Sequence, residues 1–204
     1  SLYMKGIKRL KWSKKTQVTC LVLFGVIIVV LFVTVPSLAR YNHRVATDSI
    51  SVWNGEVATS YREGSGSQED PYVIANGSEL AYLAQMLETT DYADTYFVLK
   101  NDIVLNEGVF QYDETGHLQY LLNGVSYYVK EYTEELYLDA DYTEKANVTL
   151  QTFPAMNQFK GHLEGDLYKI YGLYVTEENA DTLGFFKDLQ GEVSNLLFDN
   201  ALVY

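Results

Sequence analysis

Glu164 and Asp166 flank Gly165, two carboxylates at a spacing that a glycosidase or lyase could use as acid and base. The glycine between them marks a turn, where a solvated pair of acids is the stronger reading. Asp139, Asp141 and Glu144 suggest an oxygen-rich calcium loop. The sixth place from Asp139 is not Gly and the twelfth is not Glu, which excludes an EF-hand. The three histidines are His43, His117 and His162, none at i, i+4 with another and none near the single cysteine, Cys20. That pattern gives no zinc site. Gly64-Ser65-Gly66-Ser67 lacks the lysine and the spacing of a phosphate loop. Tyr127, Tyr128, Tyr168, Tyr171 and Tyr174 could stack on sugars, although in strands such rings usually pack half-buried. Taken together these residues predict no catalytic, cofactor-binding or metal-ligating set, and no enzyme within the chain.

Composition sets outer bounds. The chain has 204 residues and a net charge of -12, which argues against a nucleic-acid surface. The charge is split. Residues 1–17 hold Lys5, Lys8, Arg9, Lys11, Lys14 and Lys15, and no acid precedes Asp48. Residues 41–204 carry 8 positive and 27 negative charges, a net of -19. Between them, Val18–Val35 is an uncharged apolar run long enough to cross a bilayer as a helix, closed by Pro36. The positive-inside rule then predicts a cytoplasmic N-terminus and an exterior comprising residues 41–204. The alternative is a signal peptide cleaved after Ala39 and a secreted product. Residues 36–50 read as a linker.

The remainder, 51–204, reads as one β-rich extracellular domain. Tyr72-Val73-Ile74 is a short strand, Asn76-Gly77 a turn, and Ser78 the cap of a helix. That helix places Leu80, Leu83, Ala84 and Leu87 at i, i+3, i+4, i+7. Tyr96–Leu105 is a strand broken at Asn101-Asp102. Residues 108–152 read as a meander of about three strands with a hairpin at Asn123-Gly124, followed by an uncertain acidic stretch, 131–147. In the C-terminal third, Ile170–Val175 aligns with Val193–Phe198 at an offset of 23 residues, a period typical of stacked repeats. The repeats, about 159–204, break off in mid-pattern at Val203-Tyr204. The expectation is that further repeats or a partner chain cover that end.

The string Phe159-Lys160-Gly161-His162-Leu163-Glu164-Gly165-Asp166-Leu167, continued by Ile170, Gly172, Leu173, Gly184-Phe185-Phe186, Gly191, Val193 and Asn195-Leu196, resembles the GLUG-motif repeats of bacterial surface proteins. Trp53-Asn54-Gly55, Asp70-Pro71-Tyr72 and the helix at 79–87 resemble the segment that often precedes them. The resemblance implies a mainly β fold: the start of a right-handed parallel β-helix, with an N-terminal capping helix and an inserted β-meander. The sequence adds a single transmembrane helix before it. The implied function is a membrane-anchored bacterial cell-surface protein used for adhesion, spacing or display, with a host or cell-wall glycan or protein as partner. The alternative is an accessory N-terminal region of a larger secreted peptidase or polysaccharide-active enzyme.

Overall fold

The computed structural model describes residues 50–204, so the basic tail, the apolar run Val18–Val35 and Ala39 lie outside the described residues. Fourteen strands and one helix make up the described chain. They are β1 (Tyr72–Ile74), α1 (Gly77–Met86), β2 (Tyr96–Leu99), β3 (Ile103–Val104) and β4 (Val109–Tyr112). Then come β5 (Leu118–Leu122), β6 (Val125–Val129), β7 (Glu135–Tyr137), β8 (Lys145–Thr149) and β9 (His162–Glu164). The chain ends with β10 (Lys169–Tyr171), β11 (Tyr174–Val175), β12 (Glu192–Ser194), β13 (Leu197–Asp199) and β14 (Leu202–Val203).

The strands form sheets of mixed type. Three are parallel, in the orders β1-β2-β9-β12, β13-β10-β3 and β11-β14. The fourth and largest, β4-β5-β6-β7-β8, is antiparallel throughout. The expected right-handed parallel β-helix is therefore corrected to a mainly β fold with mixed sheets and one short helix. The reason lies in the connections. Short turns such as Asn123-Gly124, with φ of 51° and 80°, join neighbouring strands only in antiparallel fashion. The stretch 131–147, uncertain in the sequence, supplies β7 and most of β8, so the meander has five strands instead of about three. Among the described residues no helix is long and apolar enough to cross a membrane, and the expected transmembrane helix, Val18–Val35, lies outside them.

The helix cap also differs from expectation. Asn76, not Ser78, caps α1: its Oδ1 accepts the Glu79 N–H at 2.9 Å. Glu79 reaches back to accept the Ala75 N–H at 2.7 Å and the Arg62 Nε at 3.1 Å. A buried carboxylate is tolerated here because both oxygens are hydrogen-bonded. Leu80, Leu83, Ala84 and Leu87 do form the buried face, sharing a core with Trp53, Ile74, Phe97, Leu163, Ile170 and Phe153. A second core lies under the meander, where Leu118, Tyr120, Val129, Leu136 and Leu150 pack around Tyr174.

Register in the parallel sheets is set by stacked glycines. Leu163 pairs with Val193, and Ile170 with Phe198, offsets of 30 and 28 residues. The 23-residue alignment of Ile170 with Val193 is thus corrected. Apolar spacing alone permits either register. Gly161 and Gly191 decide it: a Cβ on Gly191 would run into the Gly161 carbonyl, so only glycine lets the two backbones approach at that point.

Candidate docking surface

The carboxylates expected to flank a turn do so, and that of Glu164 is spent on structure. Glu164 Oε1 accepts the Asp166 N–H at 2.7 Å; Oε2 accepts from the Ser194 hydroxyl at 2.8 Å and from Asn195 Nδ2 at 3.1 Å. Glu164 therefore ties β9 to the turn after β12. The Asp139 carboxylate caps its own loop, accepting the N–H groups of Asp141, Thr143 and Glu144. Those backbone donors hold its carboxyl below the usual range. Among the described residues no three His, Cys, Asp or Glu side chains gather to hold a metal ion.

The remaining residues of interest are dispersed. His117 sits in the β4–β5 turn with its Nδ1 2.7 Å from the Thr115 hydroxyl. His162 stacks on Tyr96 at 4.4 Å and lies 3.2 Å from Glu192. His43 lies outside the described residues. Tyr174, one of the rings considered for sugar stacking, is fully buried and donates its hydroxyl to the Thr133 carbonyl at 2.7 Å. Burial pushes its phenol up. Tyr127 and Tyr168 pack against the two cores, and Lys169 lies over the Tyr171 ring at 5.3 Å.

The parallel sheets do converge on one surface. β12, β13 and β14 are each the terminal strand of their sheet, and all three come from residues 192–203. The inner sides of these strands are satisfied. Glu192 N–H donates to the Gly161 carbonyl, the Asp199 carbonyl accepts from Gly172, and Leu202 N–H donates to Leu173. In a parallel ladder the N–H and C=O of one residue point to the same side, and alternate residues point to opposite sides. Val193, Phe198 and Val203 therefore turn their backbone groups outward, where they meet no backbone partner among the described residues.

The opposite edges are closed. Val73 N–H donates to the Glu63 carbonyl beside β1, Trp53 N–H to the Val104 carbonyl beside β3, and Phe153 N–H to the Tyr174 carbonyl beside β11. Burial follows the same asymmetry. Ile103 and Ile170 are 1% and 0% exposed, whereas Phe198, next in that row, is 43% exposed. Leu189, Leu197 and Val203 are likewise exposed. Residues 188–204 contain Asp188, Glu192 and Asp199 and no Lys or Arg, so the apolar edge has an acidic border.

Sequence reasoning expected an uncovered edge at Val203-Tyr204. It missed that Val193 and Phe198 share it, because the 23-residue alignment placed them in the wrong row. The Gly161/Gly191 match, at 30 residues, was the signal that would have found them. No protein family, no curated protein and no solved structure matches the chain.

Proposed function

We propose that residues 50–204 serve as a non-catalytic adhesion or display module of a bacterial cell-surface protein, and that the β12–β14 edge is its docking face. The observation that carries this reading is the outward backbone of Val193, Phe198 and Val203 beside exposed apolar side chains, on one side of sheets whose other edges are closed. Such an edge binds extended polypeptide by strand addition: main-chain hydrogen bonds give affinity and alternate side chains give selectivity. The acidic border selects a partner segment with apolar residues flanked by Lys or Arg. The likeness of Phe159–Leu173 to GLUG-motif repeats supports the bacterial-surface setting.

The test uses the full chain and a synthetic peptide copying residues 162–175, with Glu164 and Asp166 replaced by Lys. Amide hydrogen exchange at Val193, Phe198 and Val203 should slow when the peptide is added, and Phe198→Glu should abolish the effect. Unchanged exchange at those three amides would overturn the reading. So would a sedimentation result in which the chain alone dimerises through this face, since the occupant would then be a second copy.

A further inference from the structure

Asn200, at the corner between β13 and β14, ties that corner to the meander. Its Oδ1 accepts the Phe110 N–H at 2.8 Å and its Nδ2 donates to the Gly108 carbonyl at 2.6 Å. One amide thus spans a carbonyl and the N–H two residues further on, both on the outer side of β4. In an antiparallel pair alternate residues turn their backbone groups towards and away from the neighbouring strand. Asp113 N–H donates to the His117 carbonyl, so residues 109, 111 and 113 face β5 and residues 108, 110 and 112 face outward. The Phe110 carbonyl and the Tyr112 N–H therefore repeat the acceptor and donor pair that Asn200 fills. Neither meets a partner among the described residues.

This second pair lies on the open side. Gly172 and Asn200 hold equivalent places in successive rows, because Ile170 pairs with Phe198 and Tyr174 with Leu202. The chain entering β4 climbs past these rows. Asn106 donates to the Gly172 carbonyl, and Gly108 and Phe110 hold Asn200 in the next row. Two residues of a strand advance about 6.7 Å, and neighbouring strands lie about 4.8 Å apart. The two steps agree to within about 2 Å, so the second pair stands beside a strand added to β13 and β14. The side chains follow the same step. Phe110 packs on Tyr174 with ring centroids 5.8 Å apart, whereas Tyr112, two residues on and on the same face, is 63% exposed. Its ring stands over the place next to Leu202.

Backbone conformation narrows what can fill that place. Gly172 and Asn200 are both left-handed, with φ of 63° and 56°. Asparagine enters this region more readily than most residues that carry a side chain, and its amide supplies donor and acceptor together. Ionised aspartate has no donor for the Phe110 carbonyl, and lysine or arginine has no acceptor for the Tyr112 N–H. Resting on the reading of the β12–β14 edge as a peptide-docking face, we propose that the docked segment carries an asparagine level with Asn200. Its amide spans the Phe110 carbonyl and the Tyr112 N–H, and an apolar residue two places later lies beneath the Tyr112 ring. The selected pattern is apolar-x-Asn-x-apolar, as in Phe198-Asp199-Asn200-Ala201-Leu202.

The experiment compares two peptides on the full chain. One copies residues 162–175 with Glu164→Lys and Asp166→Lys; the other adds Gly172→Asn. The asparagine peptide should slow amide hydrogen exchange at Tyr112, which the glycine peptide should not, and should bind about tenfold or more tightly in titration calorimetry. Gly172→Asp in the peptide should give no such gain. In the protein, Tyr112→Pro removes the N–H at an outward position of an edge strand, where proline is tolerated, and should make the two peptides bind equally. Tyr112→Ala keeps the N–H, so it should weaken both peptides and preserve the preference. Exchange at Tyr112 in the parent chain decides the matter even if the proline variant fails to fold. Slowed exchange at Val193, Phe198 and Val203 with both peptides, but equal affinity and no slowing at Tyr112, overturns this proposal and leaves the edge standing. Unchanged exchange at all four amides overturns both.

Discussion

Asn106 is the residue on which the meander's attachment depends most. It is 5% exposed. Its Nδ2 donates to the Gly172 carbonyl at 2.8 Å and to the Gln151 carbonyl at 3.0 Å, and its Oδ1 accepts the Gln151 N–H at 2.8 Å. Residue 106 leads into β4 and residue 151 leads out of β8, so one side chain pins both ends of the antiparallel sheet to the turn between β10 and β11. Asn106→Ala removes all three bonds. Each is worth about 1 kcal/mol net, and the buried carbonyl groups left behind add a desolvation cost, so the expected loss is about 3 kcal/mol. Against a total of about 5–15 kcal/mol this is a large fraction. In urea unfolding of the full chain it corresponds to a midpoint lower by about 1 M or more. Asn106→Asp sharpens the test. At neutral pH the carboxylate keeps the acceptor for Gln151 N–H but faces two carbonyl oxygens, so the loss should match or exceed that of the alanine variant. On acidification the protonated carboxyl regains one donor, and the gap between Asp and the parent should narrow. Hydrogen exchange should show the loss first in amides of residues 109–149. A loss below about 0.5 kcal/mol in both variants, within the range of ordinary surface changes, would refute the reasoning.

Three further outcomes follow from the same geometry. Gly191→Ala should destabilise strongly, since its Cβ meets the Gly161 carbonyl, while a methyl at Gly116 meets open space and strains only the backbone at φ 88°; thermal melts of the two variants give the comparison. Asp113, Asp139 and Glu135 have carboxyl groups held below their ordinary values by Thr115, by the Thr143 and Glu144 amides, and by Lys145 respectively. A depressed folded-state value adds stability that is complete above the ordinary range near pH 4 and is lost as pH falls through the lower folded values. Removing all three side chains should therefore flatten the acid limb of a pH–stability curve. Burial and the Tyr92 hydroxyl push the Tyr61 phenol up, and burial does the same at Tyr174. Their contribution is complete below about pH 10 and declines as pH rises above it, so both should ionise only together with unfolding in an ultraviolet titration.

The local elements were more legible than their assembly. The i, i+3, i+4, i+7 pattern of Leu80, Leu83, Ala84 and Leu87 marks the buried face of α1 without ambiguity, and Asn123-Gly124 marks a hairpin. The cap was misplaced because Asn76-Gly77 is also a strong turn signal. What selects Asn76 is the pairing of its side chain with Glu79, a contact three residues away. The register of the parallel sheets was obscured for a different reason. The apolar residues of 163–175 and 193–203 fit more than one offset, and only the contact between Gly161 and Gly191 separates them.

The asymmetry of the sheet edges bears on what the β12–β14 edge accepts. Unpaired strands with exposed Phe198 and Val203 invite pairing with any strand, including another copy of the same edge. Glu192 and Asp199 stand on those strands with side chains 74% and 48% exposed. In an isologous contact, where the same patch meets itself, these acids would face acids, at a cost that Lys169, 3.1 Å from Asp199, and His162, 3.2 Å from Glu192, offset only in part. Against a partner bearing Lys or Arg the same two residues become attractive. One pair of side chains thus serves as guard and as selector, and the two roles separate experimentally. Glu192→Lys with Asp199→Lys should promote self-association when mixed with an equal amount of the parent chain and not when alone. Size-exclusion chromatography of the two preparations and their mixture checks this directly. A mixture that elutes as the parent does would mean that charge does not govern what the edge accepts.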